Sequence, residues 1–238
     1  MKEELINCAG LQALLLGGAS DRVFVYVHGA GGSRDEARPF AESAAARGWQ
    51  VLSVDLPGHG KRLGCAGELT PWHMERELRA LGRAAAERWP VRGLYAVSIG
   101  AWFALTSLCA GDFAGALFLS PVVDMAALIR RMMRCRGVSE DDLRRRGIIP
   151  ADHGEALSWE YFQWALAHAP EWTGPSEILY ASGDELIPRE DVEAFVRRRP
   201  SSALTVMQGG EHWLHTPEET AFLRSWEARC LDAMEEKR

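Results

Sequence analysis

A serine, a carboxylate and an imidazole occur at positions from which they could together perform nucleophilic catalysis. Ser98 lies between Ala96 and Gly100, with an apolar run on either side of the segment AVSIG. Asp184 and His212 come later, each directly after a further apolar run. A serine hydroxyl is a weak nucleophile, and an imidazole that is oriented by a carboxylate activates it by taking its proton. The three residues therefore predict acyl transfer through a covalent serine intermediate.

The small residues around Ser98 predict a sharp turn from a strand into a helix. Such a turn crowds the residues on either side of its centre, and Ala96 and Gly100 relieve that crowding. It also holds the central side chain out at the N-terminus of the helix, in a strained backbone conformation. A serine that merely caps the helix is the alternative interpretation. The positions of Asp184 and His212 after later strands favour the catalytic one.

The segment HGAGGS, residues 28–33, follows the apolar run RVFVYV and is suited to binding an anion through its backbone. An oxyanion intermediate needs two N–H groups that point to one place. Gly29, Gly31 and Gly32 have no Cβ atom to hinder a close approach. A dinucleotide-binding loop is excluded, because the pattern G-x-G-x-x-G would require a glycine at Arg34.

Short apolar runs alternate with longer segments of helical character along the chain. This alternation predicts an α/β fold, with a mostly parallel, doubly wound sheet that carries helices on both faces. Residues 4–17 are expected to form an antiparallel pair at one edge of the sheet. Ligands of such sheets bind beyond the carboxyl ends of the strands, where the three chemical residues fall. Helices are predicted over residues 35–47, 71–89, 100–110, 189–199 and 217–234.

These motifs and their order resemble the α/β-hydrolase superfamily, from about Leu5 to the last helix. The resemblance implies a catalytic triad in which Ser98 is the nucleophile, Asp184 the acid and His212 the base. It also implies an oxyanion hole, formed by the backbone N–H groups of Ala30 and Ile99. It implies no metal and no organic cofactor.

Several other polar residues are weighed against this assignment. His215 lies three residues beyond His212 and is expected to pack or cap near the next helix. Asp124 is the alternative acid, since some members of the superfamily take their carboxylate from that earlier strand. We favour Asp184 because SGDELIP is more similar to the usual acid-bearing turn. The segment DLPGHGKR resembles another turn of the superfamily, and His59 is expected to form a hydrogen bond within it.

Residues 122–176 lack a strand pattern and are typical of two or three short helices. We expect one α/β-hydrolase domain over residues 1–238, with this segment inserted after the sixth strand as a helical lid. Trp159 and Phe162 share one face of a predicted helix, which either attaches the lid to the body or lines an apolar pocket above Ser98. The other candidate pocket residues are Gly29, Trp102 and Trp213.

The composition disfavours several classes of function. A net charge of −6 disfavours nucleic-acid binding, and no apolar run is long enough for a membrane span. Glu3 and Glu4 spoil the positively charged start that a signal peptide requires. Five scattered cysteines without a C-x-x-C pair indicate free thiols in a reducing compartment and argue against a zinc site. We expect a cytoplasmic protein, and no feature predicts its oligomeric state.

Three functions follow from this sequence. The first is a serine hydrolase, resembling carboxylesterases, that cleaves a small, largely apolar ester. The second is a serine aminopeptidase or amidase with the same triad, since the size and the inserted helices also resemble serine aminopeptidases and monoacylglycerol lipases. Such a peptidase needs an acidic anchor for the substrate amine, for which Glu155, Glu160 and Glu171 are candidates. The third is a non-catalytic ligand-binding protein on the same fold.

Overall fold

An eight-stranded sheet forms the centre of the protein, as described by a computed structural model for residues 1–151 and 155–236. Its strand order is β1-β2-β4-β3-β5-β6-β9-β10. The six strands from β4 to β10 in that order run parallel, whereas β2 is antiparallel to its neighbours β1 and β4. The strands are β1 (Glu3–Cys8), β2 (Leu11–Leu16), β3 (Arg22–Val27), β4 (Gln50–Val54), β5 (Val91–Val97), β6 (Gly115–Leu119), β7 (Ile148–Ile149), β8 (Leu157–Ser158), β9 (Ser176–Ala181) and β10 (Ser202–Met207).

Helices cover both faces of this sheet and bury two separate cores. Alternate residues of β3 contribute to opposite cores, since side chains along a strand point to opposite faces. Val25 belongs to one core, whereas Phe24 and Tyr26 belong to the other. The helices are α1 (Ala37–Ala45), α2 (Pro71–Arg88), α3 (Ser98–Ser107), α4 (Met125–Cys135), α5 (Glu140–Arg146), α6 (Trp159–Ala167), α7 (Arg189–Arg197) and α8 (Pro217–Glu236).

The predicted α/β fold is confirmed, including the antiparallel edge pair and the five helices outside the region 122–176. Two short features were not predicted. Residues Gly60–Glu68 form 3-10 helix interrupted by a kink, and only their first part lies in the segment 55–62 that was expected to form a turn. The segment between β6 and β9, residues 122–175, holds α4, α5 and α6 together with the two-stranded pair of β7 and β8. This segment is called the insert below.

No helix in the part of the chain that the structure describes combines the length and the apolar character needed to cross a membrane.

Candidate active site

Ser98 lies at an abrupt junction between a strand and a helix. Strand β5 ends at Val97 and α3 begins at Ser98, whose φ of +49° is in the left-handed region that non-glycine residues seldom adopt. A Cβ atom on Gly100 would lie 2.8 Å from the carbonyl oxygen of Val27 and even closer to that of His28. Glycine is therefore required there, because α3 packs directly against the end of β3.

A chain of hydrogen bonds connects Ser98 with the two distant residues of the predicted triad. The Oγ atom of Ser98 is 2.9 Å from Nε2 of His212. The Nδ1 atom of His212 is 2.6 Å from Oδ2 of Asp184. All three residues are buried, so the contacts lie away from competing water. Residues 98, 184 and 212 thus form one continuous polar path at the carboxyl ends of β5, β9 and β10.

The carboxylate of Asp184 is held on both of its oxygen atoms. Oδ1 accepts hydrogen bonds from the backbone N–H groups of Leu186 at 2.8 Å and Ile187 at 2.9 Å. Oδ2 is left to face the imidazole of His212. The turn that follows β9 thereby orients the carboxylate toward His212.

The loop that carries His212 is held by hydrogen bonds from the Asp184 loop and from the side chain of Glu219. The backbone N–H of Gly183 donates to the carbonyl of Gly210 at 2.8 Å, which joins this loop to the one that carries Asp184. The buried carboxylate of Glu219 accepts from the backbone N–H groups of Glu211 at 2.6 Å and Thr216 at 2.8 Å. These backbone hydrogen bonds lower the pKa of Glu219 to about 2. Glu219 therefore stays ionised and holds both ends of the loop.

The competing residues occupy other environments. The carboxylate of Asp124 accepts a hydrogen bond from the backbone N–H of Ala127 at 2.8 Å and caps α4. The exposed His215 has its Nδ1 atom 4.0 Å from the carboxylate of Glu211. The structure thus brings Asp184 and His212 to Ser98, and leaves Asp124 and His215 in capping and surface positions.

The glycine-rich loop after β3 lies against Ser98. A Cβ atom on Gly29 would be 3.2 Å from Cβ of Ser98 and 3.5 Å from the carbonyl oxygen of Val97. Ile99 is the second residue of α3, where backbone N–H groups have no acceptor within the helix. Ile99 follows the serine directly, and Ala30 follows Gly29, which lies against it; the function of these two N–H groups as an oxyanion hole stays a prediction.

Two histidines near this loop were missed or only partly interpreted by sequence reasoning. His59 was expected to bond within its own turn, and its Nδ1 does lie 2.9 Å from the carbonyl of Pro57. Its Nε2 also accepts from the backbone N–H of Gly31 at 3.0 Å, which links two loops. His28, which was given no function, has its Nδ1 2.8 Å from the carbonyl of Gly29. The bonds of His28 to Gly29 and of His59 to Pro57 are local, whereas the bond from Gly31 to His59 joins residues 28 positions apart, and no sequence pattern indicates that pairing.

The candidate pocket residues differ in exposure. Trp102 and Phe162 are wholly buried, and Trp102 stacks on Tyr161 of the insert with ring centroids 5.6 Å apart. Trp159 is half-buried, whereas Trp213 is 60% exposed and meets the ring of His212 edge-on at 5.1 Å. Trp102 and Phe162 pack the core in this conformation, and a contribution of either to a substrate pocket stays a prediction.

Among the residues that the structure describes, one group of possible metal ligands lies at the start of α2 and just before it. Glu68, His73 and Glu77 bring a ligand atom each within 4.8 Å of one another. Arg62 donates to both carboxylate oxygens of Glu77, at 2.6 Å and 2.8 Å. Although burial opposes it, these hydrogen bonds and that of His73 lower the pKa of Glu77. The guanidinium already supplies the positive charge that a metal ion would bring.

The sequence of the chain matches the model of one protein family. The family model described as serine aminopeptidase, S33, matches residues 18–146, which is more than half of the chain. The chain belongs to this α/β-hydrolase family. The match spans the glycine-rich loop, the serine turn and the first part of the insert. No curated protein matches the chain significantly in sequence.

Solved structures extend the likeness to the whole of this hydrolase. Est1E from Butyrivibrio proteoclasticus, with ferulic acid bound, superposes with a TM-score of 0.78 at 18% identity, over 98% of this chain and 99% of that one. Mouse alpha/beta hydrolase domain-containing protein 10 gives 0.76 at 15% identity, over 98% and 100%. The monoacylglycerol lipase of Paleococcus ferrophilus gives 0.67 at 18% identity, over 94% and 99%. At these identities the likeness concerns the fold.

Proposed function

We propose that this hydrolase cleaves a small, largely apolar carboxylic ester through an acyl-enzyme intermediate. The observation that carries the proposal is the unbroken path of hydrogen bonds from Ser98 through His212 to Asp184. Such an arrangement makes a hydroxyl nucleophilic at neutral pH, which a helix cap does not require.

In the proposed mechanism, Oγ of Ser98 attacks the ester carbonyl while Nε2 of His212 takes the hydroxyl proton. The tetrahedral oxyanion binds to the N–H groups of Ala30 and Ile99. Collapse of this intermediate transfers the proton to the leaving alcohol and leaves an acyl group on the serine. Water then repeats the steps and releases the acid. Asp184 holds His212 in the tautomer that accepts at Nε2 and stabilises its charged form.

Two apolar side chains beside the triad support an apolar substrate. Trp213 follows His212 directly, and Leu186 lies two residues after Asp184; both side chains are exposed. Exposed apolar groups beside a polar centre favour a ligand that covers them. We further propose that the insert acts as a lid, with Trp159 contributing to the acyl pocket. The ferulic acid in Est1E makes a ferulate ester a suitable member of the substrate panel.

A second candidate is hydrolysis of an amide or an N-terminal peptide bond by the same triad. The match to a family model described as serine aminopeptidase favours it. The possible anchors for a substrate amine, Glu155, Glu160 and Glu171, are exposed. Parallel assays with p-nitrophenyl butyrate and aminoacyl p-nitroanilides separate the two candidates. Cleavage of the anilides alone would replace the ester proposal.

Labelling with a fluorophosphonate tests the nucleophile directly. We expect the wild type to be labelled at Ser98 and to hydrolyse p-nitrophenyl butyrate or a ferulate ester, whereas Ser98→Ala does neither. His212→Gln should lose both properties, and His215→Gln is the matched control that keeps them. Ligand-induced thermal stabilisation without turnover across a broad ester panel would instead indicate a binding protein.

A further inference from the structure

Two peptide groups flank Ala30, and each is held by a histidine side chain. The first group consists of the carbonyl of Gly29 and the N–H of Ala30. Its carbonyl oxygen is 2.8 Å from Nδ1 of His28 and also accepts from the N–H of Gly32 at 3.2 Å. A peptide group is planar, and the trans form directs its N–H opposite to its carbonyl. Fixing the carbonyl of Gly29 therefore fixes the direction of the Ala30 N–H.

The second peptide group, between Ala30 and Gly31, is held from the other side. The N–H of Gly31 donates to Nε2 of His59 at 3.0 Å. When the planes on both sides of a residue are fixed, its φ and ψ angles are fixed as well. The backbone of Ala30, and with it the direction of its N–H, thus has little freedom to turn.

The tautomers of both imidazoles follow from their backbone partners. Nε2 of His28 accepts from the N–H of Leu56 at 2.9 Å, so the ring carries its proton on Nδ1 and can donate to Gly29. Nδ1 of His59 faces the carbonyl of Pro57, so the ring donates there and Nε2 is free to accept. Burial lowers the pKa of His28 to about 4, which keeps that ring neutral near pH 7.

We propose that His28 and His59 are positioning residues that hold the two peptide groups flanking Ala30 and thereby preorganise the oxyanion hole. This inference rests on the proposed function, since it requires an oxyanion to form beside Ser98. Donors that are aligned before the reaction stabilise the transition state without a cost of reorganisation. A donor on the Gly29 carbonyl also polarises the peptide and strengthens the Ala30 N–H as a donor.

The same two loops have an independent connection that lets the histidines be tested in folded protein. The buried carboxylate of Asp55 accepts from the backbone N–H groups of Arg34 at 2.8 Å and Lys61 at 3.0 Å. Loss of one histidine bond therefore leaves the loops joined. The expected effect is a change in the alignment of Ala30 within a loop that still forms.

Asparagine and glutamine provide a crossed test at the two positions. The amide of asparagine occupies the place of Nδ1, and that of glutamine occupies the place of Nε2. His28→Asn keeps the donor to Gly29, and His59→Gln keeps the acceptor for Gly31, so both should retain kcat within a few-fold of wild type. His28→Gln and His59→Asn lose these bonds and should lower kcat by about 10- to 100-fold, with little change in KM.

The control pair is His73→Asn and His73→Gln on α2, for which we expect kcat within about two-fold of wild type. Binding of a trifluoromethyl ketone, which forms a tetrahedral adduct on serine, should weaken in parallel with kcat in the damaging variants. A Tm measurement identifies any variant that is unfolded. The inference is then tested with the asparagine and glutamine variants at the other histidine alone.

The outcomes separate this inference from the proposed function. If the wild type hydrolyses no ester, the proposed function fails and the inference fails with it. If the wild type is active but His28→Gln and His59→Asn keep full kcat and full inhibitor affinity, the inference alone is refuted. It is also refuted if asparagine is preferred over glutamine at both positions, since the crossed order is what the geometry requires.

Discussion

The two oxygen atoms of Asp184 have different partners. Oδ2 faces the imidazole of His212, and Oδ1 accepts hydrogen bonds from the N–H groups of Leu186 and Ile187. In Asp184→Asn, the amide oxygen would keep these two bonds and the NH₂ group would face His212. The imidazole would then have to accept at Nδ1 and carry its proton on Nε2, where it cannot take the proton of Ser98. We expect kcat to fall by about 10³- to 10⁴-fold, measured by ester hydrolysis at neutral pH.

Asp124→Asn is the matched control for this substitution. Asparagine caps helices as well as aspartate does, so α4 should keep its N-terminus and the variant should keep wild-type kcat. A larger loss in Asp124→Asn than in Asp184→Asn would mean that the acid has been assigned to the wrong strand.

Glu219 gives the stability of the molecule a specific dependence on pH. Its pKa of about 2 lies below its ordinary value because backbone N–H groups bond to the ionised form. The stabilisation is therefore complete above the ordinary pKa of a glutamate and is lost as the pH falls toward 2. We expect Tm to fall more for the wild type than for Glu219→Gln between about pH 5.5 and about pH 3.5. The exposed Glu218→Gln should follow the wild type, and parallel curves for all three proteins would contradict this role.

Sequence reasoning selected three side chains that the structure brings into hydrogen-bond contact, and missed residues that act through backbone groups. Ser98, Asp184 and His212 were predicted because each follows an apolar run in a known order. His28, His59 and Glu219 have no such signal. Their partners are backbone N–H and C=O groups, which are common to all kinds of residue, and the bonds of His59 to Gly31 and of Glu219 to Glu211 join residues that only folding brings together.

Among the structural elements, the junction of β5 and α3 is the most constrained. Gly100→Ala would place a Cβ atom against the carbonyl oxygens at the end of β3, which are backbone atoms that cannot easily move. We expect a loss of about 1–3 kcal/mol in the free energy of unfolding, or about 2–12 °C in Tm. Activity should fall with it, because α3 carries Ser98 and Ile99.

Gly111→Ala provides the comparison for this prediction. The nearest atom to a Cβ at Gly111 is the sulfur of Cys109 at 3.9 Å, which is an ordinary contact. Calorimetry of the two variants should show a Tm near that of wild type for Gly111→Ala only. Equal values for both variants would indicate that α3 shifts freely against β3.

Elements with a long, regular pattern could be predicted, and short ones could not. The helix over 71–89 was predicted from a long segment of helical character. The strand in QVLSV was predicted from a run of β-branched and apolar residues. The strands β7 and β8 contain two residues each, too few for any alternation to be visible. The 3-10 helix over Gly60–Glu68 overlaps the segment DLPGHGKR, which was interpreted as a turn because of its proline and glycines.

At the scale of the whole molecule, the two cores divide the cysteines into reactive and protected groups. Cys109 and Cys135 are exposed and Cys65 is half-buried, whereas Cys8 and Cys230 are buried. Burial raises the pKa of Cys8 and raises that of Cys230 to about 12, which suppresses the reactive thiolate. Iodoacetamide near pH 8 should therefore modify Cys109 and Cys135 first, as followed by peptide mass spectrometry. Modification of Cys8 and Cys230 should require denaturant, and rapid labelling of Cys230 in folded protein would show that this core opens readily.

The order of the strands along the chain determines the order in which the residues of the candidate site are synthesised. His212 follows β10, the last strand, and its loop is braced by Glu219 at the start of α8. A ribosome has thus produced the serine, the glycine-rich loop and most of the hydrophobic cores long before the imidazole emerges. On the proposed function, a polypeptide that ends ahead of residue 212 lacks the base that activates Ser98, so the activated nucleophile forms only after the surrounding fold is nearly finished.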